Sequence, residues 1–96
     1  DEVSRPHADA VCRVVQEALT NAAKHSHARQ AWVEVHRRGG WIEVTVRDDG
    51  QGADPITPGH GLTGMTERVS ALEGTVEWNS QRGQGFTVSA RLPDRP

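Results

Sequence analysis

GWIEVTVRDDGQG, running from Gly40 to Gly52, is the stretch on which the fold turns. Ile42, Val44 and Val46 alternate with Glu43, Thr45 and Arg47, and a period of two marks a strand with one buried face. Continuing the same count lands on Asp48, so a carboxylate points inward at the strand's end. A buried charge needs a partner. Two partners stand open: backbone N–H groups of the following turn, or the exocyclic amine of a bound base. Asp49 has the opposite parity and is expected to face solvent or cap the turn. Gly50 and Gly52 then let backbone pass close beneath a flat ligand.

Upstream, RQAWVEVHRR places Ala31, Val33 and Val35 on one face of a preceding strand. Gly39-Gly40 between the two runs is a hairpin signal. Farther upstream, Pro6 is placed to open a helix. Val11, Val14, Val15, Ala18, Leu19 and Ala22 repeat at helical spacing, which predicts one amphipathic helix over about residues 7–26. Downstream, GLTGMTERVSALEG predicts a second helix with Leu62, Met65, Val69 and Leu72 inward and Gly74 as its stop. TVEWNS and GFTVSARLP form a second predicted hairpin, with Phe86, Val88, Ala90 and Leu92 toward the core and Thr87 away from it. The order helix, two strands, helix, two strands predicts an α/β (α+β) two-layer sandwich, a mixed β-sheet with helices packed on one face.

Composition narrows the function. Ninety-six residues make one domain with one modest core, and no internal repeat or linker divides residues 1–96. Apolar residues make up 34% and charged residues 25%, with a net charge of −2, which argues against a nucleic-acid surface. No apolar run is long enough to span a membrane and no secretory signal opens the chain. The single Cys12 cannot close an internal disulfide and fits a reducing cytoplasm.

Five of the ten glycines fall between Gly50 and Gly64. Gly59, Gly61 and Gly64 surround the start of the second helix, whose unpaired N–H groups and partial positive charge suit phosphate. On the first helix, Glu17, Asn21 and Lys24 are spaced i, i+4, i+7 and share a face. That stripe reads as a solvated helix edge, or as a row of groups over a site. In the second case an amide oxygen takes one position on Mg²⁺, an ammonium meets phosphate and a carboxylate orients water. Mg²⁺ keeps several of its waters, so one Asn is chemically adequate beside nucleotide phosphates. Rival motifs fail: there is no P-loop, GQGADPITPGHG lacks the dinucleotide-binding spacing, and the five histidines lack metal spacing, His25 and His27 being i, i+2.

With these residues assembled, the sequence resembles the ATP-binding catalytic domain of bacterial two-component sensor histidine kinases, in the superfamily shared with gyrase and HSP90. Its nearest likeness is to the nitrate-sensor and lipid-thermosensor branch. VVQEALTNAAKHSHA is similar to that family's N box, VRDDGQG to its D-x-G-x-G box, GHGLTGMTERV to its G-x-G-L box and GQGFTVSARLP to its closing strand. The resemblance implies the Bergerat ATP-binding fold, with ATP and Mg²⁺ as ligands. It implies Asn21 as the Mg²⁺ ligand, Lys24 as a phosphate contact and Asp48 as the reader of the adenine amino group. Gly50 and Gly52 would floor the adenine pocket, while Gly59, Gly61 and Leu62 would belong to the lid and the phosphate-binding helix start.

Glu17 matches the superfamily's general-base position. Arg68 matches a branch arginine, which would touch phosphate or form a surface salt bridge. Phe86 stands where the family usually has Thr; Thr87 follows and is the remaining hydroxyl candidate near adenine. The resemblance further implies a catalytic domain excised from a longer cytoplasmic or membrane-anchored kinase. Its partners would be the dimerisation and phosphoacceptor helices of the parent and a downstream response regulator, with no nucleic acid or membrane contact. The isolated domain is expected to be monomeric and not competent for cis autophosphorylation. Two alternatives remain: an anti-sigma-factor serine kinase of the same superfamily, and a non-catalytic interaction module with a degenerate pocket.

Overall fold

The computed structural model describes residues 5–24, 28–50, 62–80 and 85–94. Its elements are helix α1 (Arg5–Lys24), strands β1 (Ala31–Arg38) and β2 (Trp41–Asp48), helix α2 (Leu62–Ser70), and strands β3 (Thr75–Ser80) and β4 (Phe86–Pro93). The two-layer sandwich is as expected, with α1 packed across β2 and β4 and α2 across β3 and β4. The sheet is not mixed. Its order is β1-β2-β4-β3 and every neighbouring pair is antiparallel. The β2–α2–β3 connection does produce two parallel strands, but β4 inserts between them and pairs antiparallel with each.

Alternation holds where helices cover the sheet. Ile42, Val44, Val46, Val88, Ala90 and Leu92 are buried, and the register sets Ile42 beside Leu92, Val44 beside Ala90 and Val46 beside Val88. Met65 and Val69 of α2 close the core from above. Gly39 and Gly40, at φ 59° and 82°, make the two-residue turn whose double positive φ matches strand twist.

Two faces differ from the periodic expectation. On α1 the buried line is His7, Ala10, Val14, Ala18 and Asn21–Ala22, while Val11 and Val15 are half-buried and Leu19 is 39% exposed. Small side chains let the helix approach the sheet, so the alanines turn inward and Leu19 is left at the rim. Along β1 all eight residues are exposed, Val33 by 43% and Val35 by 48%, because this edge strand lies outside the helices' main cover. On the sheet's other face Trp32 and Trp41 lie under the guanidinium groups of Arg47 and Arg91, at 4.8 and 4.1 Å from the ring centres.

The end of α2 carries a division of labour that its sequence conceals. Gly74 N–H donates to the Val69 carbonyl at 3.0 Å and Glu73 N–H to the Ser70 carbonyl at 2.9 Å, the bond pair of a Schellman cap. The left-handed residue of that cap is Glu73, at φ 63°, and not the glycine. Gly74 is small for another reason: a Cβ there would collide with the Arg91 carbonyl and lie 2.8 Å from Val69 Cγ1. Gly74→Ala is therefore expected to lower stability by about 1–3 kcal/mol, as overpacking against backbone does. Denaturant midpoints at unchanged m-value check this, and an unchanged midpoint would contradict it.

Candidate functional site

One end of the sandwich gathers the chemistry-bearing residues. β2 finishes at Asp48, β4 begins just past Gly85, and α1 finishes one turn beyond Asn21. Main-chain bonds fasten these ends together. Ala28 N–H returns to the Ala22 carbonyl at 2.9 Å, hooking the chain back onto the last turn of α1. The N–H groups of Arg29 and Gln30 both donate to Asp49 Oδ1 at 2.9 Å, and Asp49 N–H donates to the Gln30 carbonyl at 3.1 Å. The second carboxylate of the pair thus caps backbone from across the sheet.

These bonds act on the charge of Asp49. The Gln30 N–H holds its carboxyl below its ordinary value; desolvation opposes it, and the Arg29 N–H, Asp49's own N–H and the Arg29 guanidinium add to the lowering. With the folded pKa below the unfolded one, the clamp stabilises the fold at pH values above the unfolded carboxylate's range. That contribution is lost as pH falls through the folded value.

Asp48 is 5% exposed, as its inward parity requires. Gly50 N–H donates to its Oδ1 at 2.8 Å, so the turn supplies a structural partner and fixes the carboxylate's direction. A carboxylate accepts at roughly four lone-pair sites, so an anchored Asp48 can also read a ligand amine. Gly85 closes the other side. At φ 83° it sits in the left-handed region, and a Cβ would strike the Asp48 carbonyl oxygen and stand 3.5 Å from Oδ1. The sequence reading passed over Gly85; the signal available was its place just before a core strand, in GQGF.

Asn21 is 3% exposed and its Nδ2 has no hydrogen-bond partner among the described residues. A buried amide nitrogen left unpaired costs about 1–3 kcal/mol, which is unusual enough to require a reason. An amide kept uncommitted at the closed end of the sheet is suited to a ligand. Among the described residues no group of three His, Cys, Asp or Glu is placed to hold a metal ion. Mg²⁺ at this end fits only as an ion shared between the Asn21 amide oxygen, water and a ligand's own phosphates, which is its usual manner of binding.

The other expected site residues divide. Glu17 is half-buried one turn before Asn21 and pairs with Arg13 at 3.4 Å. Lys24 is the last residue of α1, Leu62 the first of α2, and Gly50 is buried beside Asp48. Gly52, Gly59 and Gly61, with the lid segment 53–60, lie outside the described residues. Two residues are not brought to this end's helix-covered face. Thr87 pairs with Arg47 and Asn79 on the face away from the helices, while Phe86 takes the core side. Arg68 lines a separate groove of about 610 Å³ with Arg5, Asp9 and Arg13, between α2 and the first half of α1.

Comparison with known proteins shows the family and the fold. Residues 7–96 match the family described as histidine kinase-, DNA gyrase B- and HSP90-like ATPase. The sensor histidine kinase YxjM of Bacillus subtilis is 34% identical over 85 residues, 88% of this chain and 21% of that protein. UhpB of Salmonella typhimurium, a signal transduction histidine-protein kinase/phosphatase, is 40% identical over 85 residues, 86% of this chain and 17% of that protein. The histidine kinase domain of a blue-light activated kinase from Erythrobacter litoralis has the same fold. It superposes with a TM-score of 0.72 at 23% identity, covering 93% of this chain and 45% of that one. The chain spans about a fifth of the length of the curated relatives it matches. It belongs to the histidine kinase-, gyrase- and HSP90-like ATPase family, and within it to the ATP-binding catalytic domains of sensor histidine kinases.

The unpaired amide yields a prediction independent of any ligand. Asn21→Leu, with the same branching and heavy-atom count and without polar atoms, is expected to raise the stability of the ligand-free domain by about 1 kcal/mol, since it removes an uncompensated buried group. Thermal and denaturant unfolding read this directly. A destabilised variant would mean that the amide is already paired.

Proposed function

We propose that this domain binds Mg-ATP at the Asn21–Asp48 end of the sheet and presents the γ-phosphate to a histidine outside these 96 residues. The phosphoryl group would then pass to a response regulator. The observation that supports this best is a buried, direction-fixed carboxylate and a buried amide, its nitrogen without a partner among the described residues, on neighbouring elements at one end of the fold. Asp48 accepts a hydrogen bond from the adenine amino group, and Gly50 and Gly52 lie beneath the ring. Asn21 offers its amide oxygen to the metal and Lys24 its ammonium to phosphate. Gly59, Gly61 and Leu62 bring main-chain N–H groups of the α2 start to the phosphates. Mg²⁺, when bound, neutralises phosphate charge during transfer.

Glu17 is the candidate to orient the acceptor, its charge held by Arg13 in the free domain. The chain's own contribution is positioning and electrostatics, which carry most of phosphoryl-transfer catalysis. In this reading residues 1–96 are one catalytic domain of a longer, cytoplasmically disposed kinase. The domain is monomeric by itself, because the acceptor and dimerising helices belong to the rest of the parent. No helix among the described residues is long and apolar enough to cross a membrane.

Calorimetric titration with Mg-ATP tests the proposal. The wild type is expected to bind saturably. Asp48→Ala is expected to bind about 10- to 100-fold more weakly, the loss of one hydrogen bond to a charged group. Equal affinity of the two proteins would contradict the site.

A further inference from the structure

We infer that Asp49 is the positioning residue of the nucleotide site, locking the segment after α1 to the end of β2 and so holding Asn21 in register with Asp48. The inference rests on the site proposed above and adds a residue that the ligand does not touch.

The geometry is a relay of short bonds. The β1–β2 ladder starts with Ala31 opposite Asp48, so the residues before Ala31 have left the strand pairing. Asp49 carries the fastening past that point in two ways, through its own N–H to the Gln30 carbonyl and through Oδ1 to the N–H groups of Arg29 and Gln30. One residue farther back, Ala28 is bonded to the Ala22 carbonyl, next to Asn21. On the other side Asp49 is joined covalently to Asp48. The path from amide to carboxylate therefore passes through Asp49, by one main-chain bond and by one side-chain oxygen that two N–H groups share.

Base and phosphates of a nucleotide are covalently joined, so the groups that read each must keep a fixed separation. A carboxylate on the protein's surface can do this without entering the pocket. Asp49 is exposed, so its side chain contributes little to the hydrophobic interior. An Asn at this position retains one acceptor oxygen of the same reach, whereas Ala retains none.

The test compares Asp49→Ala and Asp49→Asn with wild type, titrating Mg-ATP by calorimetry and adenosine by amide chemical shifts, with thermal unfolding in parallel. Adenosine engages only the Asp48 half of the site, while Mg-ATP needs both halves at once. Asp49→Ala is expected to weaken Mg-ATP about tenfold, as loss of an outer orienting partner does, with adenosine affinity within about twofold of wild type. Asp49→Asn is expected to bind both as wild type does. The inference is overturned if Asp49→Ala binds Mg-ATP normally, if both ligands weaken by one factor, or if the Asn variant is equally defective. Asp48→Ala separates the two levels: if it binds Mg-ATP like wild type the site itself is wrong, and if only the Asp49 variants are normal the positioning role alone is lost.

Discussion

Everything at the working end of this domain follows from ending an apolar strand face on a carboxylate. Ile42, Val44 and Val46 commit one face of β2 to the core, and strand parity commits Asp48 to the same side. An inward carboxylate is tolerable only with hydrogen-bond donors at hand. Gly50 N–H provides one at 2.8 Å, which requires the chain to turn immediately after the strand. Gly85 must then lack a side chain, because the entry to β4 lies against Asp48 main chain. A single parity choice thus shapes the turn after β2 and the approach to β4.

The opposite helix shows the same exchange of stability for ligand competence. Its buried line runs through Ala10, Val14 and Ala18 and then arrives at Asn21, an amide where an apolar side chain would pack without cost. Sites that bind ligands are commonly local exceptions to good packing, and the rest of the fold compensates. Here the compensation is a sheet whose central strands lie under α1, with α2 across β3 and β4, and whose first hairpin closes in a two-residue turn. The separate groove lined by Arg5, Arg13 and Arg68 is different in kind: its acids Asp9 and Glu67 leave it mixed in charge.

Much of this was legible in the residues. The alternations of β2 and β4, the Gly39-Gly40 turn and the inward Asp48 are local patterns with one physical meaning, and the structure repeats them. Strand order was not legible, because the insertion of β4 between β2 and β3 is decided by pairing across the whole chain; hence an antiparallel sheet in place of a mixed one. The exposure of Val33 and Val35 escaped for the same reason, since an edge strand and a central strand share one alternation. On α1, hydropathy favoured Leu19 over Ala10, whereas close approach to a sheet favours the smaller residue. Asp49 reads from the sequence as facing solvent or capping its own turn, because its actual partners lie 19 and 20 residues away. Gly74 read as a helix stop and Gly85 as an ordinary loop glycine until the backbone against them was visible.

The central claim is that nucleotide binds at the Asp48 end of the sheet. The most direct measurement is a residue-resolved map of amide chemical shifts on adding Mg-ATP to the uniformly ¹⁵N-labelled domain. The account predicts the largest changes at Asn21, Asp48, Gly50 and Gly85, with Arg13 and Arg68 little moved. Changes centred on Arg5, Arg13 and Arg68, with Asp48 and Gly85 still, would contradict it and move the binding site to the groove between the helices.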